Sequence, residues 1–357
     1  MTTAFEPVTI GPLELKHRIA MAPMTRSRAY GPDRSPTAMM AEYYAQRAGA
    51  ALIVTEGTQP SVIGQGYPDT PGLHSRTQVE AWRKVTDAVH DQGGVIFAQL
   101  MHTGRIGHPA NYRDRLTPAA PSPVQAEGQI FTPKGLVDYV VPREMTDADI
   151  RRTVEDFATA ASNAVDAGFD GVELHGANGY LLQQFLATNA NLRTDQWGGG
   201  PTNRIRFTVD VVTAVAEAIG ASRTGLRISP ANPSNDIRED DYTLTYPLLV
   251  DALNPLGLAY LHVMETVAPE FTAVLRAAWT GIFMLNPATP GSRTGAGQLR
   301  LIEEGVADIL SFGQLFIANP DLPERLAAGV PLAEADLSKA YGGGAVGYTD
   351  YPKYQPV

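Results

Sequence analysis

Residues 146–180 read TDADIRRTVEDFATAASNAVDAGFDGVELHGANGY, and this stretch decides the fold. Thr146 followed by Asp147 and Asp149 marks a helix N-terminus, where a hydroxyl caps free N–H groups and acidic residues meet the positive end of the dipole. Ile150, Val154, Phe157, Ala161 and Val165 then recur at spacings of three and four, which is one apolar face of a helix. Gly168 predicts its stop. Residues 171–175 form a short, mostly apolar run, as expected of a strand buried on both faces. Polar residues from His175 to Tyr180 follow it. The whole is one αβ unit of a parallel sheet with functional groups at the strand's C-terminal end.

The same grammar repeats in both directions. Eight strands are predicted at 19–23, 51–56, 95–100, 171–175, 225–229, 259–264, 281–285 and 308–313. A helix rich in Tyr and Ala is expected between Ser35 and Gly49, and another over 77–92 before Gly93-Gly94. A further helix carries Ile205, Val209, Val212, Ala216 and Ile219 and stops at Gly220. Residues 5–15 predict a hairpin around Gly11-Pro12 that caps the barrel floor. Residues 103–145 form a long Pro- and Gly-rich insertion after strand 3, expected to act as a lid or binding loop. An open doubly wound sheet would place a Gly-rich turn after its first strand. Here Met24-Thr25-Arg26-Ser27-Arg28 follows instead. The expectation is an α/β fold, a single (β/α)8 TIM barrel over 1–357, with the hairpin cap and the long loop.

Composition narrows the chemistry. The chain has 357 residues, 44% hydrophobic and 18% charged, with a net charge of −10 that argues against nucleic acid or an anionic membrane as a partner. No window is apolar enough to span a bilayer, and residues 1–16 lack the pattern of a secretory signal, so a cytoplasmic enzyme acting on a small molecule is expected. Cysteine is absent, which excludes disulfides, thiolate metal sites and a thiol nucleophile. None of the five lysines, at 16, 84, 134, 339 and 353, falls at a strand end, which removes Schiff-base chemistry. His102 and His108 lack an acidic neighbour, so no metal site is expected. Glu56, Glu173 and Glu265 lie at or near strand ends, but Glu173 reads as a structural interior residue, and a glycosidase pair is not compelling. His262 in mid-strand reads as structural, and Arg238-Glu239-Asp240-Asp241 as a solvated loop.

What remains at the strand ends is one arginine and neutral hydrogen-bonding groups. Thr25, Gln99 and Arg227 could surround a planar heterocycle. His175 and Asn178 could grip an oxygen that gains negative charge, and Tyr180 could donate a proton. This suits hydride chemistry on a bound cofactor.

Several motifs carry a resemblance. They are residues 22–26 (APMTR), Gln99-Leu100 with His102-Thr103-Gly104-Arg105, Glu173-Leu174-His175 with 179–186 (GYLLQQFL), 191–199 (NLRTDQWGG), Asn203-Arg204, Arg227-Ile228-Ser229-Pro230, 316–322 (FIANPDL) and 341–352 (YGGGAVGYTDYP). From about Pro7 onward the chain resembles the old yellow enzymes. That resemblance implies a barrel that binds FMN, is reduced by NADPH or NADH, and reduces α,β-unsaturated carbonyls or nitroalkenes. It implies cofactor contacts by Pro23, Met24, Thr25, Gly57, Gln99, Arg227, Asn286, Gly313 and Gln314. It makes His175 and Asn178 the grip on the substrate carbonyl and Tyr180 the donor to the α-carbon. Tyr67, Met101 and Tyr341 would line the substrate pocket, and Thr25 points to the branch without a thiol at that position.

Three departures from the family pattern stand out. Gln314 replaces an arginine that grips the cofactor phosphate. Asn286-Pro287-Ala288 replaces a Gly-rich turn, and Pro287 has no N–H to give. Met101 replaces a tryptophan. The first two fall at one end of the cofactor, and Arg293 could substitute there. A deazaflavin such as coenzyme F420, with the same ring and another tail, is the alternative cofactor. An isomerase or cyclase without net reduction is the alternative reaction.

Overall fold

The computed structural model describes residues 2–266, 269–289 and 294–355. Eight parallel strands close into a barrel. They are β1 (Ile19–Met21), β2 (Ile53–Val54), β3 (Ile96–Leu100), β4 (Gly171–Gly176), β5 (Thr224–Ile228), β6 (Tyr260–Met264), β7 (Phe283–Asn286) and β8 (Ile309–Phe312). Each overlaps a strand expected from the sequence. β8 pairs with β1, through Leu310 opposite Ile19 and Phe312 opposite Met21, and this closes the ring. Nearly every strand residue is buried, because helices cover the outer face and side chains fill the lumen.

The helices begin where the chain supplies caps. Ser75 and Gln78 form a capping box at the start of Arg76–His90, and Thr146 and Asp149 form another ahead of Asp147–Asp166. The helix Arg206–Ile219 stops at Gly220 as expected. The return between β7 and β8 is much shorter, a single helical turn at Arg300–Glu303 preceded by a 3-10 turn.

The lumen is layered. At the floor, Phe97, Tyr260, Met284 and Ile309 pack with Val8, Ile10 and Leu15 of the hairpin Val8–Ile10/Leu13–Leu15, so the hairpin plugs the barrel as expected. Two glycines make room for the aromatic rings there. A Cβ on Gly171 would lie 2.5 Å from Phe97 Cζ, and one on Gly225 would lie 2.5 Å from the Tyr260 ring. Two residues further along each strand the inward positions turn polar, with Gln99, Glu173, Arg227, His262 and Ser311. Above them the lumen opens into a cavity at the C-terminal ends of the strands.

The insertion is not structureless. Gln129–Thr132 and Gly135–Asp138 form an antiparallel hairpin, and Ala119–Ala120 bridges to Arg143–Glu144. The hairpin carries Phe131 to the mouth of the cavity. The run expected to be solvated at 238–241 is a correction. Glu239 is buried, because the Tyr246 hydroxyl, the Ala231 N–H and the Gln183 side chain all donate to its carboxylate. Asp241 of the same run pairs with Arg204.

The layered floor makes a prediction. Gly225→Ala overpacks the Tyr260 ring and lowers stability by about 1–3 kcal/mol. Thermal unfolding checks this, and an unchanged midpoint would show that the floor has slack.

Candidate active site

The cavity has a volume of about 830 Å³ and lies above the polar layer. Its wall brings together Pro23, Met24 and Thr25 after β1, Gln99 of β3 with Met101 just beyond it, and His175 of β4 with Asn178 and Tyr180 after it. Arg227, Asn286, Gly313, Gln314, Tyr67 and Tyr341, also expected from the sequence, line it as well. Gly57 does not line the cavity. It lies behind Met101, whose Cε would sit 2.5 Å from a Cβ at that position.

Glu173 organises the layer below. It accepts from Gln99 Nε2 at 2.9 Å, from Tyr260 Oη at 3.2 Å and from His262 Nδ1 at 2.7 Å. Burial pushes its pKa up, but His262, Arg227 and Gln99 outweigh that and hold the carboxyl below its usual range. Burial pushes His262 down, so it is a neutral donor whose Nε2 takes the Ser311 hydroxyl at 2.8 Å. Gln99 spends an N–H on Glu173 and keeps its carbonyl oxygen for the cavity.

Arg227 is a buried cation with an unfinished shell. Its Nη2 donates to Asn286 Oδ1 at 2.9 Å, and Asn286 Nδ2 donates to the Ser311 carbonyl at 3.0 Å. Its Nε has no partner. An unsatisfied buried guanidinium N–H is costly unless a ligand completes it. The His175 Nδ1 is also without a partner. Burial, reinforced by Arg227, pushes His175 down to about 3, so the ring is neutral at physiological pH and has one N–H to donate. The Asn178 side chain lies on the same strand-end turn. Tyr180 packs its ring 5.2 Å from that of His175, and its hydroxyl is 3.1 Å from the Tyr67 hydroxyl. Burial pushes Tyr180 up to about 12, so it keeps its proton.

The rim is held by residues that sequence reasoning passed over. The Glu56 carboxylate accepts the consecutive N–H groups of Arg26 and Ser27, which fixes the turn after Thr25. Arg26 then reaches the Ala340 and Gly347 carbonyls, and Arg28 the Lys339 carbonyl. Tyr43 stacks on Tyr348 at 4.1 Å. These contacts lay the C-terminal segment over the cavity and bring Tyr341 to its edge. The sequence signal was two arginines just after the first strand, at 26 and 28, without acidic partners beside them.

The far end of the cavity partly corrects the expectation. Asn286 lines the cavity while its carboxamide bridges Arg227 and the Ser311 carbonyl, so it also positions the arginine. Pro287 has no N–H, and the Ala288 N–H is taken by Glu265 at 3.0 Å. Gln314 is exposed at the start of the short helix Gln314–Ala318. Arg293 lies outside the described residues. Of the three glutamates weighed as a glycosidase pair, none faces the cavity. Among the described residues no cluster of His, Asp and Glu could hold a metal ion, and no helix is long and apolar enough to cross a membrane.

The model of the NADH:flavin oxidoreductase / NADH oxidase family matches residues 3–333. The chain belongs to this family. It is therefore a flavin-linked oxidoreductase, working with FMN and a nicotinamide reductant. The 12-oxophytodienoate reductase 1 of Oryza sativa subsp. japonica is 39% identical over 364 residues, covering 98% of this chain and 93% of that protein. The old yellow enzyme homologue from Zymomonas mobilis superposes with a TM-score of 0.94 at 39% identity, covering 98% of this chain and 99% of its own. Morphinone reductase in complex with tetrahydroNAD gives a TM-score of 0.94 at 40% identity, covering 99% and 98%. These relatives put the old yellow enzyme on firm ground as the family type and do not favour the deazaflavin alternative. The residues present fit the ring of FMN: an open carbonyl on Gln99 and an unpaired N–H on buried Arg227 suit a planar heterocycle with both donors and acceptors.

The low pKa of His175 makes a prediction. Its Cε1 proton shows no NMR titration between pH 5 and 8. A midpoint near the ordinary value of about 6.5 would mean that the ring is solvated and is not the neutral donor described.

Proposed function

We propose that this protein reduces the carbon–carbon double bond of α,β-unsaturated carbonyl compounds or nitroalkenes, with His175, Asn178 and Tyr180 acting on the substrate. The observation that carries this reading is the convergence of two neutral donors and a protonated tyrosine in one cavity above a buried arginine.

Thr25, Gln99 and Arg227 would hold the flavin ring, with Pro23 and Met24 beside it. FMN held there would supply hydride chemistry at the substrate's β-carbon, with NADH or NADPH as the source of reducing equivalents. The remaining work belongs to the side chains. His175 and Asn178 donate to the substrate oxygen, which gains negative charge as the β-carbon gains hydride. Because His175 is neutral it stabilises that charge without giving up a proton. Arg227 offers a fixed positive charge on the cofactor side, and Glu173 beneath it keeps the pair from being a bare buried cation.

Tyr180 then transfers its hydroxyl proton to the α-carbon. The phenol holds this proton at neutral pH, as any tyrosine does and more firmly for being buried, and an enolate carbon is basic enough to take it. Tyr67, 3.1 Å away, can donate to the phenolate left behind. Tyr67, Met101, Phe131 and Tyr341 enclose the substrate and limit access of water. One hydride and one proton are added, and the double bond becomes single. An isomerase or cyclase would leave the hydrogen count unchanged, and the intact proton donor favours reduction.

Two measurements test the reading. Under anaerobic conditions cyclohex-2-enone is consumed one-for-one with the nicotinamide, and the product is heavier by two hydrogens in mass spectrometry; a product isomeric with the substrate would overturn the reading. Tyr180→Phe slows the reaction of reduced enzyme with enone by about 10²- to 10⁴-fold, while reduction of the flavin by nicotinamide is spared. Equal losses in both half-reactions would deny Tyr180 its role.

A further inference from the structure

Asn178 faces a problem that its position alone does not solve. A carboxamide presents an oxygen at one end and an NH2 at the other, and the two ends have almost the same shape. A half-turn of the group would aim Oδ1 at the substrate oxygen and convert an attraction into a repulsion. The backbone does not choose between the two orientations. It only anchors the residue, through the Asn178 N–H to Ser229 Oγ at 2.9 Å and the Asn178 carbonyl to Asn235 Nδ2 at 2.7 Å.

The choice is made by a residue that does not line the cavity. Asn232, in the loop after β5, is 2% exposed. Its Oδ1 accepts the Ser234 main-chain N–H at 3.1 Å. Its Nδ2 donates to Asn178 Oδ1 at 2.9 Å. A main-chain N–H can only donate, so it fixes the oxygen end of Asn232 toward Ser234. The nitrogen end of Asn232 must then face Asn178, which must answer with its oxygen. That leaves the Asn178 NH2 as the end available to the cavity, on the same wall as His175.

We propose that Asn232 is a positioning residue that sets the polarity of Asn178, relaying the fixed direction of the Ser234 N–H through two carboxamides to the substrate oxygen. The relay selects ligands that present an acceptor at this point and rejects those that present a donor. It rests on the reading that Asn178 grips the substrate oxygen.

The discriminating change is Asn232→Asp. At neutral pH the carboxylate can only accept. It still satisfies Ser234, but its second oxygen calls for the NH2 of Asn178 and turns that group around. When protonated, the same side chain donates to Asn178 Oδ1 and restores the original direction. The FMN-loaded enzyme is reduced with dithionite and mixed with cyclohex-2-enone in a stopped-flow instrument, which separates the enone Kd from the rate of hydride transfer. The expected result is a Kd raised by about 10- to 100-fold at pH 8 in the Asp variant, falling back toward the wild-type value as the pH is lowered. The visible flavin spectrum and the flavin content stay as in wild type. Glu239, which accepts the Ala231 N–H, and His175, Tyr67 and Tyr180 in the cavity wall are common to both enzymes. The difference between the two pH profiles therefore reports residue 232.

Asn178→Leu separates the two ideas. If it leaves the enone Kd unchanged, the grip by Asn178 is wrong and the relay falls with it. If it weakens binding while Asn232→Asp matches wild type at every pH, the grip stands and the relay is overturned. Should the Asp variant fail to fold, Asn232→Ala removes the donor without reversing it. A Kd raised several-fold supports the relay, and an unchanged Kd overturns it.

Discussion

The structure depends on one buried carboxylate. Glu173 is fully enclosed in the lumen, where an ionised group is tolerated only if its lone pairs are occupied. Gln99, Tyr260 and His262 occupy them. From His262 the chain of contacts continues through Ser311, Asn286 and Arg227. These residues come from six consecutive strands, β3 to β8. A register slip in any of them would turn its member outward and leave a charge or a polar group uncompensated, and removing one partner of such a buried pair costs about 3–5 kcal/mol. Closing the barrel and building the cofactor end of the site are thus a single constraint.

That belt also explains the electrostatic character of the cavity. Within it the charges of Glu173 and Arg227 offset each other. Above it the titratable groups His175 and Tyr180 that face the cavity are neutral: His175 because burial and Arg227 suppress its protonation, Tyr180 because burial holds its phenol above the ordinary range. Such a lining would stabilise charge that appears during a reaction without binding a formal anion in the ground state, which is how preorganised donors accelerate a reaction.

The eight strands were legible because a strand buried on both faces leaves an apolar run that little else imitates. The two-residue ladder of β2 was not, since 51–56 reads as six strand residues. The Thr55 hydroxyl accepts the Gln99 N–H at 3.0 Å in place of a ladder carbonyl, and a side-chain substitution of that kind leaves no trace in hydropathy. The site residues lay at strand ends in the order a barrel requires, and the cavity gathers nearly all of them. Glu239 was misread because a run of four charged residues looks solvated, while the groups that bury it, Gln183, Ala231 and Tyr246, come from elsewhere in the chain. Asn286 was expected at the cofactor only through the family resemblance; its bridge between Arg227 and the Ser311 carbonyl depends on partners from other strands and leaves no trace in its own sequence neighbourhood.

Asn232 marks a deeper limit of reading residues one at a time. Its contribution lies in the direction of its hydrogen bonds, and that direction is inherited from a main-chain N–H two residues away. Composition and spacing identify which groups can donate. They do not say which end of a symmetric-looking amide does so, because that is decided by the last partner in the chain that has no freedom to turn. In this site the partner is the Ser234 N–H. The geometry of the loop after β5, with Ala231, Asn235 and Asp236 all at positive φ, is what delivers it. Such backbone is strained for residues other than glycine and is kept where surrounding contacts over-determine it, and here those contacts run directly to Asn178.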